Sequence, residues 1–179
     1  MSSQVVNPID RLSRVHWLYH FTDASNLASI REHGGLWSTV KLIEKGIKFR
    51  SGGNQISLDA DKAFGMDKFV HLSFTNNHPM AYLASHDGRI EKLQWLYIEN
   101  PFDVFELPGV LYCPEVSNKS GATLYDIGHA RQTFDYEAIG YLNWKEGSNY
   151  ARRVAVEKCE ILVPDHLPLK YFEKWLPKS

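Results

Sequence analysis

Val15-His-Trp-Leu-Tyr-His-Phe21, running directly into Thr22-Asp-Ala-Ser-Asn-Leu-Ala-Ser-Ile-Arg-Glu-His33-Gly-Gly, decides how the rest of the chain is read. The first run is β-branched and aromatic and reads as a strand. The second carries capping residues at Thr22 and Asp23, apolar positions at Leu27 and Ile30 on one helical face, and Gly34 or Gly35 for the left-handed position that ends a helix. A strand end feeding a helix N-terminus sets the side chain of His20 beside free backbone N–H groups, which suits a phosphate or a polarised amide. A half-buried sheet histidine bonded to a backbone carbonyl fits the same residue equally well.

Working outward, Ser38 to Lys45 reads as a second short helix closed by Gly46, and Phe69-Val-His-Leu-Ser-Phe74 as the next strand. Between them, Arg50 to Asp67 carries Ser51-Gly-Gly-Asn54 and little periodicity, so it reads as a long loop belonging to a site or a lid. Pro79-Met-Ala-Tyr-Leu-Ala84 starts a helix with proline in its first turn, and Leu93-Gln-Trp-Leu-Tyr-Ile98 is a further strand. Strand-like pieces follow at Val110 to Cys113 and Ala155 to Val163, with Ala130 to Tyr141 helical and Leu142 to Tyr150 an exposed loop. Helices early and strands late, without regular βαβ alternation, predict an α+β fold with a mostly antiparallel sheet, in one domain over residues 1–179.

The 179 residues are 44% hydrophobic and 23% charged, enough to build a sizeable core without disulfides or structural metal. Twenty Lys+Arg against 21 Asp+Glu leave a formal charge of -1, which excludes a broad basic field for duplex DNA or a membrane surface. Any polyanion must be held by a local patch, with shallow salt dependence. Cys113 and Cys159 both sit in apolar stretches and read as buried free thiols in a reducing compartment. With no basic-then-apolar leader and no apolar run near 18 residues, the sequence predicts a cytoplasmic, membrane-free protein, expected to act as a monomer. Aromatic residues make up 13% of the chain, and most of these rings belong in a core.

Three polar points stand on strands far apart in sequence. His20 is the first. The second is His71-Leu-Ser73, where His71, Ser73 and Thr75 share one sheet face, as a cleft lining or as an ordinary outward polar face. The third is Glu160 in Cys159-Glu-Ile-Leu-Val-Pro164: a carboxylate among apolar neighbours is costly unless paired or at a wet cleft, although Glu157 and Lys158 also allow a polar edge strand. No HExxH or CxxC is present, and His16 and His20 lie four apart on a strand, so no metal is expected.

With Tyr19-His-Phe-Thr-Asp-Ala-Ser-Asn-Leu-Ala-Ser-Ile30, Phe74-Thr-Asn-Asn-His-Pro-Met80 and Cys159-Glu-Ile-Leu-Val-Pro164, the chain resembles the DarT family of DNA-modifying toxins within the ADP-ribosyltransferase superfamily. The resemblance covers most of the chain. It implies a split antiparallel sheet with flanking helices that binds NAD in its cleft and transfers ADP-ribose to a base in single-stranded DNA. By position, His20 and Thr22 would hold the nicotinamide-side ribose and amide, Asn26 would support the adjacent loop, and Ser73, Thr75 and Asn77 would complete the NAD site. Glu160 would be the catalytic acid residue, with His20 beside it. Breaking the bond to nicotinamide develops positive charge on the ribose, which a carboxylate stabilises, and the same carboxylate can take the proton of the attacking base nitrogen.

One position departs from the family pattern. Thymidine-modifying members carry Arg, then one residue, then the Pro-Met pair, whereas this chain has Asn77 followed by His78, which leaves open thymine, guanine or an inactive relative. Arg50, Arg152 or Arg153 are the candidates to restore that charge. Arg152 and Arg153, with Trp144, Tyr150 and His78, would form a small basic and aromatic surface for single-stranded DNA. The resemblance further implies an antitoxin that removes ADP-ribose. Two rival readings stand beside it. His20-Phe-Thr22 and His71-Leu-Ser73 also resemble the paired HxT/HxS elements of two-histidine phosphoesterases, and the same cleft would serve a non-catalytic nucleotide- or DNA-binding module.

Overall fold

The computed structural model describes residues 15–140 and 149–177. Six strands form one sheet in the order β4-β1-β3-β7-β5-β6: β1 (Leu18–Asp23), β3 (Phe69–Ser73), β4 (Leu93–Ile98), β5 (Leu111–Cys113), β6 (Tyr125–Asp126) and β7 (Glu160–Pro164). A two-stranded sheet pairs β2 (Gly35–Trp37) with β8 (His166–Pro168). Every paired strand is antiparallel. The helices that bear on the cleft are α1 (Leu27–Glu32), α2 (Thr39–Glu44), α3 (Gln55–Phe64) and α4 (Pro79–His86).

Register explains the cleft. β1 pairs with β4 along its whole length, from Leu18 opposite Ile98 to Asp23 opposite Leu93. With β3 it shares the single pair Tyr19 and Ser73, so the two strands diverge beyond it. β3 then pairs fully with β7, setting Ser73 opposite Glu160, and β5 pairs on the other side of β7, setting Cys113 opposite Glu160. β7 is therefore an interior strand, and the edge-strand reading of Glu160 falls away.

Alternation along the strands separates two faces. Leu18, Val70, Leu72, Leu96, Ile98, Ile161 and Val163 point into the core, with Val104, Phe105, Phe134, Ile139 and Phe172 packed against them. Fully burying such side chains contributes about 2 kcal/mol each. Much of the aromatic content lies here: Phe134 packs edge-on against Tyr112 at 4.7 Å and Phe74 at 4.9 Å between ring centres. A second aromatic band, with Tyr19 5.4 Å from Tyr97 and Phe21 5.8 Å from Trp95, covers the other face of β1 and β4.

Three sequence expectations need correction. The Arg50–Asp67 stretch is not a long loop, because α3 occupies its middle: the Asn54 side chain accepts from Ser57 N at 2.8 Å, and Gly65 closes the helix at φ 71. The helix was illegible because none of its residues is buried, and Ile56 and Phe64 face solvent, so it carries no apolar stripe. The expected strand from Ala155 begins only at Glu160, since helix Asn149–Val156 fills the preceding residues. The helical stretch at Ala130–Tyr141 is realised as two short turns, Ile127–Ala130 and Tyr136–Ile139. Cys113 and Cys159 are both buried free thiols. Among the described residues, no helix is long and apolar enough to cross a membrane.

Gly34 closes α1 at φ 73, and Gly35 then enters β2 at φ 147, where a Cβ would collide with the backbone carbonyl of Leu167. Gly35→Ala should lower the unfolding free energy by about 3 kcal/mol, from strain plus overpacking in a place that cannot relax. Urea denaturation checks it, and Gly34→Ala, with open space around the new methyl, should cost clearly less.

Candidate functional site

Where β1 and β3 diverge, the His20 ring bridges the gap: its Nδ1 lies 2.9 Å from the His71 carbonyl. A carbonyl only accepts, so Nδ1 carries the proton and Nε2 keeps its lone pair. Burial pushes the His20 pKa down to about 4, so the ring is neutral at physiological pH and offers an acceptor, which suits a hydroxyl. Thr22 and Asn26 stand beside it. The Asn26 amide donates to Thr22 Oγ1 at 3.0 Å and to the Arg50 carbonyl at 2.9 Å, while its oxygen accepts from Arg50 N at 2.8 Å. Asn26 thus fixes the segment that begins at Arg50. The Arg50 guanidinium itself is held by Glu91 at 2.6 Å, with Asp23 at 3.8 Å, and by the carbonyls of Gly88 and Arg89.

These residues line a cavity of about 210 Å³ between β1, α1, β2 and the Arg50–Gly53 segment, with Ile30, Leu36, Trp37 and Leu42 as its apolar wall. Its mixture of apolar wall and few polar groups is that of a small-molecule site. Asn26→Ala would leave the backbone of Arg50 without its two side-chain bonds, costing about 2 kcal/mol locally. The expected outcome is a several-fold rise in the Michaelis constant for the ligand of this cavity, with far less change in turnover, measured by steady-state kinetics.

Glu160 opens β7 and is only 6% exposed. One carboxylate oxygen accepts from Ser117 N at 3.0 Å and lies 3.3 Å from His71 Nδ1, while the other lies 3.5 Å from His78 Nε2. His71 Nε2 is 3.0 Å from the Met66 carbonyl. With a carbonyl on one ring nitrogen and a carboxylate on the other, His71 needs both protons, so it is an imidazolium. Burial works against that charge, but the hydrogen bond and field of Glu160, aided by Asp61 and the Met66 carbonyl, hold its pKa up at about 9. Burial likewise works against an ionised Glu160. His71, His78 and the Ser117 N–H outweigh it and keep the carboxyl below its ordinary value. The result is a carboxylate that stays charged and fixed in a largely dry site.

His20, Thr22, Asn26, Ser73 and Glu160 are thus brought around one cleft, with Ser73 in the wall of a small cavity beside Glu160. The Ser73 hydroxyl donates to the Thr75 carbonyl at 2.8 Å, and Thr75 Oγ1 accepts from Asn77 N at 3.4 Å, shaping the turn into α4. Thr75 and Asn77 lie outside the cavity walls. His78, expected on a DNA surface, is instead buried against Glu160, capping α4 and stacked on Phe21. Arg152 is paired with Asp135 at 2.5 Å and with Glu137 at 3.0 Å. Arg153 donates to the Ala138 and Ile139 carbonyls and pairs with Glu157, which in turn accepts from Asn77 at 2.9 Å. Arg153 therefore connects through Glu157 to the place where the family pattern has its arginine. Tyr150 is exposed and away from the cavities, and Trp144 lies outside the described residues.

Sequence reasoning missed the charged state of His71 and the contribution of Ser117, whose N–H carries no side-chain signature. A two-histidine phosphoesterase needs imidazoles free to exchange protons with a phosphate. Here both nitrogens of His71 and the Nδ1 of His20 are committed within the protein.

The sequence family described as "ssDNA thymidine ADP-ribosyltransferase, DarT" matches residues 19–175. The fold is similar to that of Thermus sp. 2.9 DarT in complex with ADP-ribosylated ssDNA, with 19% identity and a TM-score of 0.67 over 89% of this chain and 80% of that one. Thermus sp. 2.9 DarT in complex with NAD+ is similar at 20% identity and a TM-score of 0.61, over 88% and 79% of the two chains. Thermosipho africanus DarTG in complex with ADP-ribose gives 16% identity and a TM-score of 0.66, over 88% of this chain and 42% of that one. No curated protein matches. With a family match that spans nearly all the described residues and a cleft built on His20 and Glu160, the chain belongs to the DarT family of single-stranded-DNA thymidine ADP-ribosyltransferases.

Proposed function

We propose that the protein transfers ADP-ribose from NAD+ to a thymidine base in single-stranded DNA. The observation that carries the chemistry is the buried Glu160 carboxylate, held by His71 and the Ser117 N–H in a small cavity that shares the His71 and Phe21 walls of the larger one. Loss of nicotinamide leaves positive charge on the ribose, and a carboxylate already oriented by His71 and the Ser117 N–H needs no reorganisation to stabilise it. His20, neutral with Nε2 as acceptor, is placed to receive a ribose hydroxyl proton, and Thr22 and Asn26 shape the wall next to it. Thymidine as target follows the family; Asn77 itself donates to Glu157, whose charge is already met by Arg153.

The reading extends to a toxin-antitoxin setting with an ADP-ribose-removing partner as the antitoxin, which the family resemblance implies and the similarity to Thermosipho africanus DarTG supports. Arg152 and Tyr150, on the helix that precedes Glu160, are the outer contacts offered to DNA, whereas Arg153 is held inward by Glu157 and the Ala138 and Ile139 carbonyls. The test is to incubate the protein with labelled NAD+ and oligonucleotides each containing one kind of base. Label on thymidine-containing single strands, with mass analysis placing ADP-ribose on the base, is the expected result. Label on no oligonucleotide would leave the non-catalytic binding module as the better account, and label on guanine alone would move the chain to the other target class.

A further inference from the structure

Glu160 is anchored through one oxygen. Its Oε2 takes both the Ser117 N–H at 3.0 Å and the His71 ring at 3.3 Å, while Oε1 accepts no hydrogen bond among the described residues. A carboxylate held at a single atom still pivots, because the terminal torsion of a glutamate is broad. Facing the free oxygen is His78, whose Nε2 lies 3.5 Å away, just beyond hydrogen-bond length.

The proton on that nitrogen follows from the other side of the ring. His78 Nδ1 accepts from Met80 N at 3.3 Å, which leaves the single proton of a neutral imidazole on Nε2. Burial pushes the His78 pKa down, with His71 adding to the fall and Glu160 and Glu157 opposing it, so the ring is neutral at physiological pH. His78 is only 4% exposed and its Nε2 has no hydrogen-bond partner. A buried donor without a partner thus stands opposite a carboxylate oxygen without one, and buried polar atoms are ordinarily satisfied.

The ring is held in place from several directions. It stacks on Phe21, 6.2 Å between centres and 21° between planes. The turn that carries it is pinned by the Ser73 hydroxyl on the Thr75 carbonyl at 2.8 Å, by the Asn77 amide on Glu157 at 2.9 Å, and by Pro79 in the first turn of α4. Capping α4 does not by itself call for a histidine, since Asn, Asp, Ser or Thr serve an N-cap with less bulk. Resting on the transferase reading above, we propose that His78 is a positioning residue for the transfer: its Nε2–H steers Glu160 Oε1 and holds the carboxylate in one orientation without adding a charge. His71 already supplies one cation, and a second would offset the negative charge on which the stabilisation of the ribose depends. Asp61 on α3 and the buried thiols of Cys113 and Cys159 also feel the Glu160 charge, and replacing His78 leaves all three in place.

The experiment compares wild type, His78→Asn and His78→Gln in single-turnover transfer from NAD+ to a thymidine-containing single strand across about pH 4.5–8, with the Glu160 carboxyl carbon followed by NMR over the same range. Asn sets an acceptor where Nδ1 caps α4 and has nothing in the place of Nε2, whereas Gln carries an amide N–H to that place. His78→Asn should lose about tenfold in rate while NAD+ affinity stays within about twofold of wild type. The acid limb of its rate and the titration of Glu160 should both move to higher pH, because the donor and field of His78 that help keep the carboxyl low are gone. His78→Gln should keep at least about a third of the rate, with the limb where wild type has it. His78→Asn as fast as wild type, or slow with an unmoved Glu160 titration, would show that His78 only caps the helix, and His78→Gln as slow as His78→Asn would equally overturn the assignment. A wild type that modifies no oligonucleotide overturns the transferase reading instead, and the Glu160 titration in His78→Asn still decides whether His78 controls that carboxylate.

Discussion

Glu160→Gln should lower single-turnover ADP-ribose transfer at least about 1000-fold while the dissociation constant for NAD+ changes by less than about threefold. The amide keeps the size of the side chain but removes the negative charge that the proposed mechanism sets against the ribose when nicotinamide leaves. Ground-state binding depends on the cavity around His20, Asn26 and Trp37, where the substitution changes nothing. Interactions that exist mainly in the transition state lower turnover and spare binding. An independent sign of the lost charge is available at His71. Without the carboxylate, its pKa should fall from about 9 toward or below the ordinary histidine value, and an NMR titration of the ring would follow it. Transfer retained above a tenth of wild type would mean that Glu160 is a structural acid.

Removing the imidazolium should cost fold stability as well as rate. His71→Ala leaves Glu160 buried with only the Ser117 N–H and the more distant His78, and stripping one partner from a buried ion pair costs about 3 kcal/mol. Wild type should show the linkage directly. His71 has its folded pKa raised to about 9 above its unfolded value, so its contribution is complete below about pH 6.5 and disappears as pH rises through about 9. Glu160 has its folded pKa lowered, so its contribution is complete above its unfolded pKa and disappears only as pH falls through the lower folded one. Urea denaturation between pH 6 and 9.5 should therefore reveal about 2 kcal/mol of declining stability, discounted because the His71 ring is 31% exposed. The decline attributable to this pair should be absent in His71→Ala. A variant with the same slope as wild type would show that His71 is uncharged in the fold.

How much of this was legible depended on whether the signal was local. Strands at Leu18–Asp23, Phe69–Ser73 and Leu93–Ile98 were readable because alternation and aromatic content are properties of adjacent residues. Helix Gln55–Phe64 was not, because it buries no residue and leaves Ile56 and Phe64 exposed. The same holds within the site. His20 and Glu160 stood out as polar residues on apolar strands. Asp61 sat unremarked among the polar residues of an exposed helix, and becomes noticeable only when α3 brings it alongside His71 and Glu160.

The sequence alone determined the antiparallel α+β class, the family resemblance and the chemical types at His20, Ser73 and Glu160, because each follows from residue identity and short spacing. The tertiary structure decided their states. A single shared pair between β1 and β3 opens the cleft, and the Ser73–Glu160 register sets the carboxylate near His71. The Met66 carbonyl, on the other ring nitrogen, forces that imidazole to carry its second proton. Protonation depends on desolvation and on partners 89 and five residues away in the chain, quantities that exist only once the strands are paired.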